Sequence, residues 1–380
     1  MREIEQETKV LIVGAGPAGL ATSVCLNLGN VPNIVLEKED CCASLWKKRA
    51  YDRLKLHLAK QFCELPHMPF PPNAPTYVPK NNFIQYLDDY VSYFNISPLY
   101  HRHVVCVSFD GNWVVVTKNT ILGTTEKYVA KFLVVATGEN SEGYIPPILG
   151  LDSFNGEVMH SSRYENGKRF DKKNVLVVGS GNSGMEIAFD LSNCGAHTSL
   201  IVRSPVHFLT EGMVKIGMEL LRYLPLDLVD KFVLMLSKFK YGDLFEYGIP
   251  RPSKGPFYLK MTTGRSPVID VGTIAKIRAR EIKVLPCIEK VNGDYIHFMN
   301  GDTIVYDAIV FATGYKSTVR EWLKDDGGLF GEDGMPKKGN PNHWKGENGL
   351  YCAGFARAGL FGVSKDAQAI SHDITAILNQ

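Results

Sequence analysis

The sequence predicts an α/β protein with two Rossmann-type three-layer dinucleotide-binding domains, one inserted in the other. The first observation is length, because 380 residues exceed what a single core usually covers. The second is a pair of apolar, β-branched runs, Val10 to Val13 and Val175 to Val178, each leading into a glycine-rich turn. Since a helical pattern follows each turn, both segments are typical of the strand, turn and helix that open a domain of this type.

The two glycine-rich turns share the pattern G-x-G-x-x-G. The first glycine of such a turn makes the tight bend, the second lets backbone N–H groups approach a pyrophosphate, and the third allows close helix–strand packing. One such motif is weak support for a site, whereas two in one chain predict two bound dinucleotides. The residues concerned are Gly14, Ala15, Gly16, Pro17, Ala18 and Gly19, then Gly179, Ser180, Gly181, Asn182, Ser183 and Gly184.

The next strand of each unit indicates which nucleotide is bound. Glu37 stands 23 positions after Gly14, where a carboxylate accepts hydrogen bonds from both ribose hydroxyls, which predicts FAD. Arg203 and Ser204 stand at the corresponding place in the second unit. The guanidinium fork matches a 2′-phosphate, which predicts NADPH. The alternative for Glu37 and Arg203 is an ordinary solvated residue at a strand end.

Charge and hydropathy are those of an ordinary enzyme. The chain has 42 basic and 40 acidic residues, a net charge of +2, with no basic stripe to indicate nucleic-acid binding. Residues 1–9 are too polar and too few for a signal peptide. No apolar run reaches the roughly 18 residues that a membrane span needs. These features predict a cytoplasmic protein without a transmembrane span, and they leave its oligomeric state open.

The cysteines include no C-x-x-C pair and form no cluster with histidines of the kind that binds zinc, so we predict no metal. A thioredoxin reductase is thereby excluded, because it needs a dithiol near its flavin. A redox role for the adjacent Cys41 and Cys42 is an alternative to ordinary reduced thiols. The eight are Cys25, Cys41, Cys42, Cys63, Cys106, Cys194, Cys287 and Cys352.

An internal repeat indicates where the chain passes from one domain to the other. Ala136-Thr137-Gly138 recurs as Ala312-Thr313-Gly314, each after an apolar strand pattern. We predict an FAD domain over residues 1–165, an NADPH domain over 166–300 and a return to the FAD domain over 301–380. A last helix from about Ser364 would be opened by Asp366, with its positive end toward the flavin's pyrimidine edge. The alternative is a plain terminal helix capped by Ser364.

Residues 218–239 have apolar positions at helical spacing, and Pro225 divides them into two pieces. Three interpretations are open: a helical hairpin packed on the nicotinamide domain, a substrate lid, or a peripheral membrane contact. We favour packing, since surface anchors usually carry more lysine and arginine on the polar face.

Phe154, Gly156, His160 and Tyr164 have the spacing F-x-G-x-x-x-H-x-x-x-Y directly before the second glycine motif. This resembles the identifying sequence of class B flavin-dependent monooxygenases, and the final tyrosine favours the flavin-containing monooxygenase branch. Further segments resemble the plant YUCCA proteins, and the likeness runs from residue 10 to about 377. These segments are residues 43–49, 51–57, 136–140, 181–186 and 311–316.

The resemblance implies an FAD- and NADPH-dependent enzyme that uses O2 to convert indole-3-pyruvate, a small 2-keto acid, to indole-3-acetate and CO2. It implies that oxygen is activated as a peroxide at flavin C4a, so the cofactor carries the reactive atoms and no catalytic triad is expected. Two alternatives are open: a monooxygenase that oxygenates nitrogen or sulfur, and a flavin-binding regulatory protein without turnover.

Four further residues are candidates beside the cofactors. Asn140 follows the first Ala-Thr-Gly turn, and Lys60 follows a segment that approaches the isoalloxazine in this family; we predict both as active-site donors. Thr137 and Gly138 would line the flavin. Trp46 would wall the flavin or nicotinamide, or else be a core aromatic. His160 would lie at the domain junction near NADP, or else be a hydrogen-bonded structural histidine.

Overall fold

The computed structural model describes residues 4–380. Residues 1–3, part of the segment tested for a signal peptide, lie outside the described residues. The strands are β1 (Ile4–Val13), β2 (Asn33–Leu36), β3 (Arg102–Asp110), β4 (Asn112–Asn119), β5 (Thr125–Val135), β6 (Glu142–Gly143), β7 (Glu157–His160), β8 (Asn174–Val178), β9 (His197–Ile201), β10 (Phe208–Leu209), β11 (Val268–Ile269), β12 (Ile282–Leu285), β13 (Ile288–Asn292), β14 (Tyr295–Phe298), β15 (Thr303–Val305), β16 (Ala308–Phe311), β17 (Tyr315–Lys316) and β18 (Leu350–Cys352). The α-helices are α1 (Pro17–Leu28), α2 (Ser44–Lys48), α3 (Lys80–Tyr93), α4 (Asn182–Asn193), α5 (Glu211–Leu220), α6 (Leu226–Tyr241), α7 (Pro256–Thr263), α8 (Thr273–Arg278), α9 (Val319–Trp322) and α10 (Leu360–Leu378).

The chain divides into two compact units. Unit 1 takes the chain up to Lys48, then Lys60–Glu142 and Tyr315–Gln380, and unit 2 takes Arg49–Ala59 and Gly143–Gly314. Residues 49–59, 143–165 and 301–314 therefore fall in unit 2, whereas we predicted the FAD domain for them. For the second and third ranges the reason is strand pairing, because β7 and β16 both belong to the sheet of unit 2. Residues 49–59 contact unit 2 through His57, whose Nε2 lies 2.7 Å from the Glu186 carboxylate.

The sheet of unit 1 has a parallel part and an antiparallel part. β2, β1, β5 and β18 run parallel, and β4 and β3 continue from β5 as an antiparallel meander. Val10, Leu11 and Ile12 of β1 are fully buried, as a central parallel strand requires. Helix α1 packs against α10. The β1–turn–α1 unit predicted from the sequence is therefore present.

The sheet of unit 2 is parallel across the order β12-β9-β8-β16-β7 in the described chain. Its central strand β8 is buried from Val175 onward, and α4 follows it after the second glycine turn. Strands β13, β14 and β15 form a separate antiparallel sheet. Two Rossmann-type units, with unit 2 inserted along the chain in unit 1, confirm the predicted α/β fold class.

The apolar segment 218–239 takes in the end of α5, a turn and most of α6, and Pro225 lies between the two helices. Pro225 is the N-cap of α6, where its missing N–H costs no helical hydrogen bond. Val229 and Val233 on the inner face of α6 are fully buried in a cluster with Phe257 of α7. The packing interpretation therefore holds for this face of the helix.

The C-terminal helix starts earlier than predicted. α10 begins at Leu360 after the N-cap Gly359, so Asp366 lies in its second turn and does not open it. Ser364 is not the cap either, since its hydroxyl donates to the Glu64 carbonyl. The sequence shows no N-cap side chain before Leu360, which is why the polar pair Ser364 and Asp366 suggested a later start.

Residues 4–380 contain neither a membrane-spanning helix nor a cluster of metal-ligating side chains. No helix there is long and apolar enough to cross a membrane. No group of three or more metal-ligating side chains occurs in the same residues. The cysteines of this part of the chain are all free thiols.

Candidate active site

The first glycine turn is held by close backbone contacts. Gly14 has φ +109°, and a Cβ there would lie 2.6 Å from the carbonyl oxygen of Ala136. A Cβ on Gly19 would lie 1.9 Å from the carbonyl oxygen of Gly14. Both positions are closed to any side chain, so the start of α1 lies tight against the end of β1.

The second glycine turn repeats this geometry. Gly179 has φ +114°, and its Cβ would lie 2.5 Å from the Ala312 carbonyl oxygen. A Cβ on Gly184 would again lie 1.9 Å from the carbonyl oxygen of the first glycine. The two Ala-Thr-Gly segments are therefore structural counterparts, since each begins where the strand beside the motif strand ends.

The middle glycine of each turn faces open space. A Cβ on Gly16 or Gly181 would meet no atom within 4 Å, and each glycine is the N-cap of its helix without a side-chain hydrogen bond to that helix. Because the first turns of α1 and α4 are not capped by side chains, their N–H groups can bind an anion. The cradle that a methyl group would fill fits a pyrophosphate in both units.

Two polar groups of unit 1 also fit a nucleotide. The Glu37 side chain is buried, and its carboxylate accepts hydrogen bonds from the N–H groups of Ala15 at 2.8 Å and Glu39 at 3.0 Å. This ties the end of β2 to the glycine turn. The Thr137 hydroxyl oxygen is buried without a hydrogen-bond partner in the described residues, next to Gly138, which has φ +77°. A buried hydroxyl of this kind fits a site that a bound polar group completes.

The second unit presents an exposed cation at its strand end. Arg203 is exposed two residues beyond β9, and Ser204 beside it is half-buried. Asn182, in contrast, is engaged within the protein: its amide donates to the Pro267 carbonyl at 3.1 Å and accepts from the Ile269 N–H at 2.8 Å. Arg203 is therefore available to a ligand, whereas Asn182 holds β11 beside the start of α4.

The predicted donors Asn140 and Lys60 differ in their surroundings. The side chain of Asn140 is exposed and has no hydrogen-bond partner in residues 4–380. The Lys60 ammonium donates to three carbonyl oxygens of one loop, those of Pro71 at 3.2 Å, Pro72 at 3.1 Å and Ala74 at 2.8 Å. Its hydrogen-bonding capacity is thus taken up by the chain itself.

Trp46 and Asp366 also have internal contacts. The Trp46 ring lies edge-on to Phe83 with centroids 4.6 Å apart, which is an aromatic packing contact between α2 and α3. The Asp366 carboxylate is buried; it accepts from the Gly354 N–H at 2.9 Å and lies 3.0 Å from Nε2 of His343. Both residues remain predicted cofactor contacts, held in place by these neighbours.

His160 is a buried histidine within unit 2. Its Nε2 lies 2.9 Å from the Gly314 carbonyl oxygen and donates to it, while Nδ1 accepts from the Ser162 N–H at 3.2 Å. Burial lowers the pKa of His160, against a smaller raising effect of the Gly314 hydrogen bond. The ring is therefore held neutral, and its contacts match the structural alternative.

A charged cavity of about 420 Å³ lies in unit 2, and the sequence analysis did not single it out. At its wall the buried Glu186 carboxylate lies 2.7 Å from Nε2 of His57, and Lys55 pairs with Glu211 at 2.5 Å. Burial and the Glu186 charge raise the pKa of Tyr51 well above its ordinary value. Tyr51, Lys55, His57 and Glu186 lie in the family-like segments 51–57 and 181–186, whereas Glu211 lies in neither. The lining residues are Arg53, Lys55, Glu186, Thr210, Glu211, Gly212, Asp270 and Val271.

Comparisons with known proteins identify the family of the chain. The family model described as pyridine nucleotide-disulphide oxidoreductase matches residues 11–216. The chain is 55% identical over 376 residues to a protein of Arabidopsis thaliana named probable indole-3-pyruvate monooxygenase YUCCA10, with 98% of each chain covered. It is 46% identical to indole-3-pyruvate monooxygenase YUCCA4 of Oryza sativa, covering 97% of this chain and 88% of that one.

The fold is also that of solved structures. A flavin-containing monooxygenase from Stenotrophomonas maltophilia superposes with a TM-score of 0.73 at 21% identity, covering 98% of this chain and 99% of that one. Fold, glycine turns and relatives together define a flavin-dependent monooxygenase that uses FAD and NADPH. Within that class the assignment is narrower. The chain belongs to the YUCCA family of flavin-containing monooxygenases.

Proposed function

We propose that this protein catalyses the oxidative decarboxylation of indole-3-pyruvate to indole-3-acetate, the auxin-forming reaction. The 2-keto acid, O2, NADPH and a proton are converted to the shortened acid, CO2, NADP⁺ and water. The observation that carries the proposal is 55% identity over nearly the full length to a relative named for this activity. The intact nucleotide cradles of both units support it.

The first cradle binds FAD. Gly14, Gly16 and Gly19, with the N–H groups at the start of α1, hold the FAD pyrophosphate, together with Ala15, Pro17 and Ala18 of the same turn. Glu37 accepts hydrogen bonds from the ribose hydroxyls, and the Thr137 hydroxyl and the Gly138 backbone contact the flavin. Asp366 and Trp46 complete this set. When bound, FAD supplies the hydride-accepting and oxygen-activating chemistry.

The second cradle holds NADPH. Gly179, Ser180, Gly181, Asn182, Ser183 and Gly184 position the pyrophosphate at the start of α4. Arg203 and Ser204 bind the 2′-phosphate, because an exposed guanidinium at the strand end pairs with the phosphate dianion. NADH lacks this phosphate, so the contact favours NADPH. Asn140 acts as an active-site donor, and Lys60 supports the loop that its ammonium binds.

The proposal also covers location and partners. We place the enzyme in the cytoplasm, acting on a small 2-keto acid and O2 and not on nucleic acid. The near-balance of 42 basic and 40 acidic residues supports this choice of partner. Fractionation of expressing cells, with the protein followed by antibody, tests the location.

The test of the reaction is anaerobic reduction of the purified yellow protein by NADPH, followed by oxygen and indole-3-pyruvate. Flavin absorbance reports reduction and reoxidation, and mass spectrometry measures indole-3-acetate. We expect reduction by NADPH, and on oxygenation one indole-3-acetate for each NADPH consumed. A parallel run with the keto acid omitted gives the uncoupled background.

Other outcomes would reject the proposal in different ways. Reduction and reoxidation at rates unaffected by the keto acid, with product from an amine or thioether instead, would identify a nitrogen- or sulfur-oxygenating enzyme. No reduction of the bound flavin by NADPH would leave a flavin-binding regulatory protein.

A further inference from the structure

The outer face of α6 carries an exposed apolar stripe. Leu228, Phe232, Met235 and Phe239 follow one another at spacings of four, three and four residues, which places them on one side of the helix. They are exposed by 53%, 39%, 58% and 94% respectively. Four large apolar side chains in a row on one helix face are unlike the scattered exposed residues of an ordinary surface.

The inner face shows that the stripe is not a core face left open by poor packing. Val229 and Val233 are fully buried, and the Ser237 hydroxyl donates to the Phe208 carbonyl at 2.8 Å. Asp230 accepts from the N–H groups of Phe257 at 2.9 Å and Tyr258 at 3.0 Å, which ties α6 to the start of α7. The helix is therefore anchored by its inner face, and the stripe faces solvent.

Lysines outnumber the exposed acid on α6. The helix has three lysines and two acids, of which Asp227 is exposed and Asp230 is buried. Lys231 and Lys238 lie seven residues apart, on one flank of the stripe. Lys231, Lys238, Lys240 and Lys254 are exposed and form no ion pair in the described residues. The packing interpretation concerns the inner face of α6, whereas Lys231 and Lys238 lie beside the outer face.

We propose that the outer face of α6 is a docking surface for an anionic membrane. An amphipathic helix with phenylalanine and leucine on one face and lysines beside them lies in the headgroup plane, with its apolar side chains reaching the acyl boundary. The lysine stems extend along the apolar layer while their ammonium groups meet lipid phosphates and carboxylates. The contact is peripheral and reversible, and it is independent of the proposed reaction.

The test is cosedimentation of the FAD-loaded protein with phosphatidylcholine vesicles that contain or lack phosphatidylserine, at low and high salt. We expect binding to the anionic vesicles that weakens with salt. The double variant Phe232→Ser/Phe239→Ser should reduce partitioning at least about tenfold, because the apolar anchor is lost. Lys231→Gln/Lys238→Gln should reduce it by about fivefold per lysine, on anionic vesicles only.

Matched controls come from exposed positions of unit 1. Tyr93→Ser/Leu122→Ser removes two exposed apolar side chains, and Lys337→Gln/Lys338→Gln removes two exposed lysines, none of them in α6. These variants should bind as the parent does. An unchanged flavin-to-protein absorbance ratio in every variant shows that the holoenzyme is intact.

Three results would overturn the proposal. The first is no sedimentation with anionic vesicles. The second is equal loss in the α6 variants and the unit 1 controls. The third is concentration-dependent self-association, abolished by Phe232→Ser/Phe239→Ser, without vesicle binding, because it would make the stripe an interface between two copies of the chain.

Discussion

The Lys60 ammonium donates to the carbonyl oxygen of Ala74 at 2.8 Å, and two further carbonyls of the same loop receive its other N–H groups. A lysine that looks like a catalytic donor in the sequence therefore closes a proline-containing loop. Substitution of Lys60 should lower stability if it holds the loop and should lower kcat if it is an active-site donor, so the two roles can be distinguished.

We expect Lys60→Met to lower stability by about 1–3 kcal/mol, because three charge-assisted hydrogen bonds to the loop are lost. Thermal unfolding of the FAD-loaded protein measures this. Lys60→Arg should recover part of the loss. A variant with parental stability and a greatly reduced kcat would instead establish the active-site donor role.

Substitution of Gly16 should abolish FAD binding, whereas substitution of Gly19 should lower the stability of the fold. Gly16→Ala has backbone room and ordinary dihedral angles, so the protein should fold with stability close to the parent apoprotein and without FAD. Gly19→Ala places a methyl group 1.9 Å from the Gly14 carbonyl oxygen, and should destabilise the fold itself by about 1–3 kcal/mol or more. Flavin absorbance and urea unfolding measure the two effects, and a yellow Gly16→Ala protein would contradict the pyrophosphate role.

Arg203→Ala should raise the KM for NADPH by about 10- to 100-fold, because charge-assisted hydrogen bonds to the 2′-phosphate are lost. The KM for NADH should change little. Steady-state reduction with each coenzyme measures the ratio, and Arg169→Ala, another exposed arginine of unit 2, is the control. Equal losses with both coenzymes would show that Arg203 does not read the phosphate.

His160 should contribute to acid sensitivity. Its pKa is lowered by burial, so the folded state binds the proton less readily than the unfolded state. Its share of the stability is complete above the unfolded pKa of about 6.5 and is lost as the pH falls toward the lowered folded value. Urea midpoints of the parent from about pH 7.5 to 5 should fall more steeply than those of His160→Gln. Parallel curves would assign the acid sensitivity to other groups, such as the buried His207.

The parts of the fold that the sequence predicts well have local signals. The strand, glycine turn and helix around Gly14 and Gly179 depend on contiguous residues, and so does the break at Pro225. The predicted start of α10 was wrong. Leu360 follows no capping side chain, whereas Ser364 and Asp366 resemble the residues that begin a helix.

The parts that could not be predicted depend on contacts between distant residues. His57 and Glu186 are 129 residues apart in the chain, and no local sequence pattern predicts their contact. The partners of Lys60 are backbone carbonyls, which carry no sequence signature. The exposure of Phe239 likewise depends on which face of α6 the neighbouring elements cover. Family-like segments marked some of these positions without indicating their contacts.

The first and third glycines and the alanine of the Ala-Thr-Gly segment form the same packed arrangement in each unit. Saturation mutagenesis should therefore produce matching tolerance profiles at positions 14 and 179, 19 and 184, and 136 and 312. A substitution that loosens one cradle identifies its counterpart in the other. Affinity for the flavin and affinity for the pyridine nucleotide can thus be changed separately. Substitutions measured in one glycine turn indicate which substitutions the equivalent positions of the other turn will tolerate.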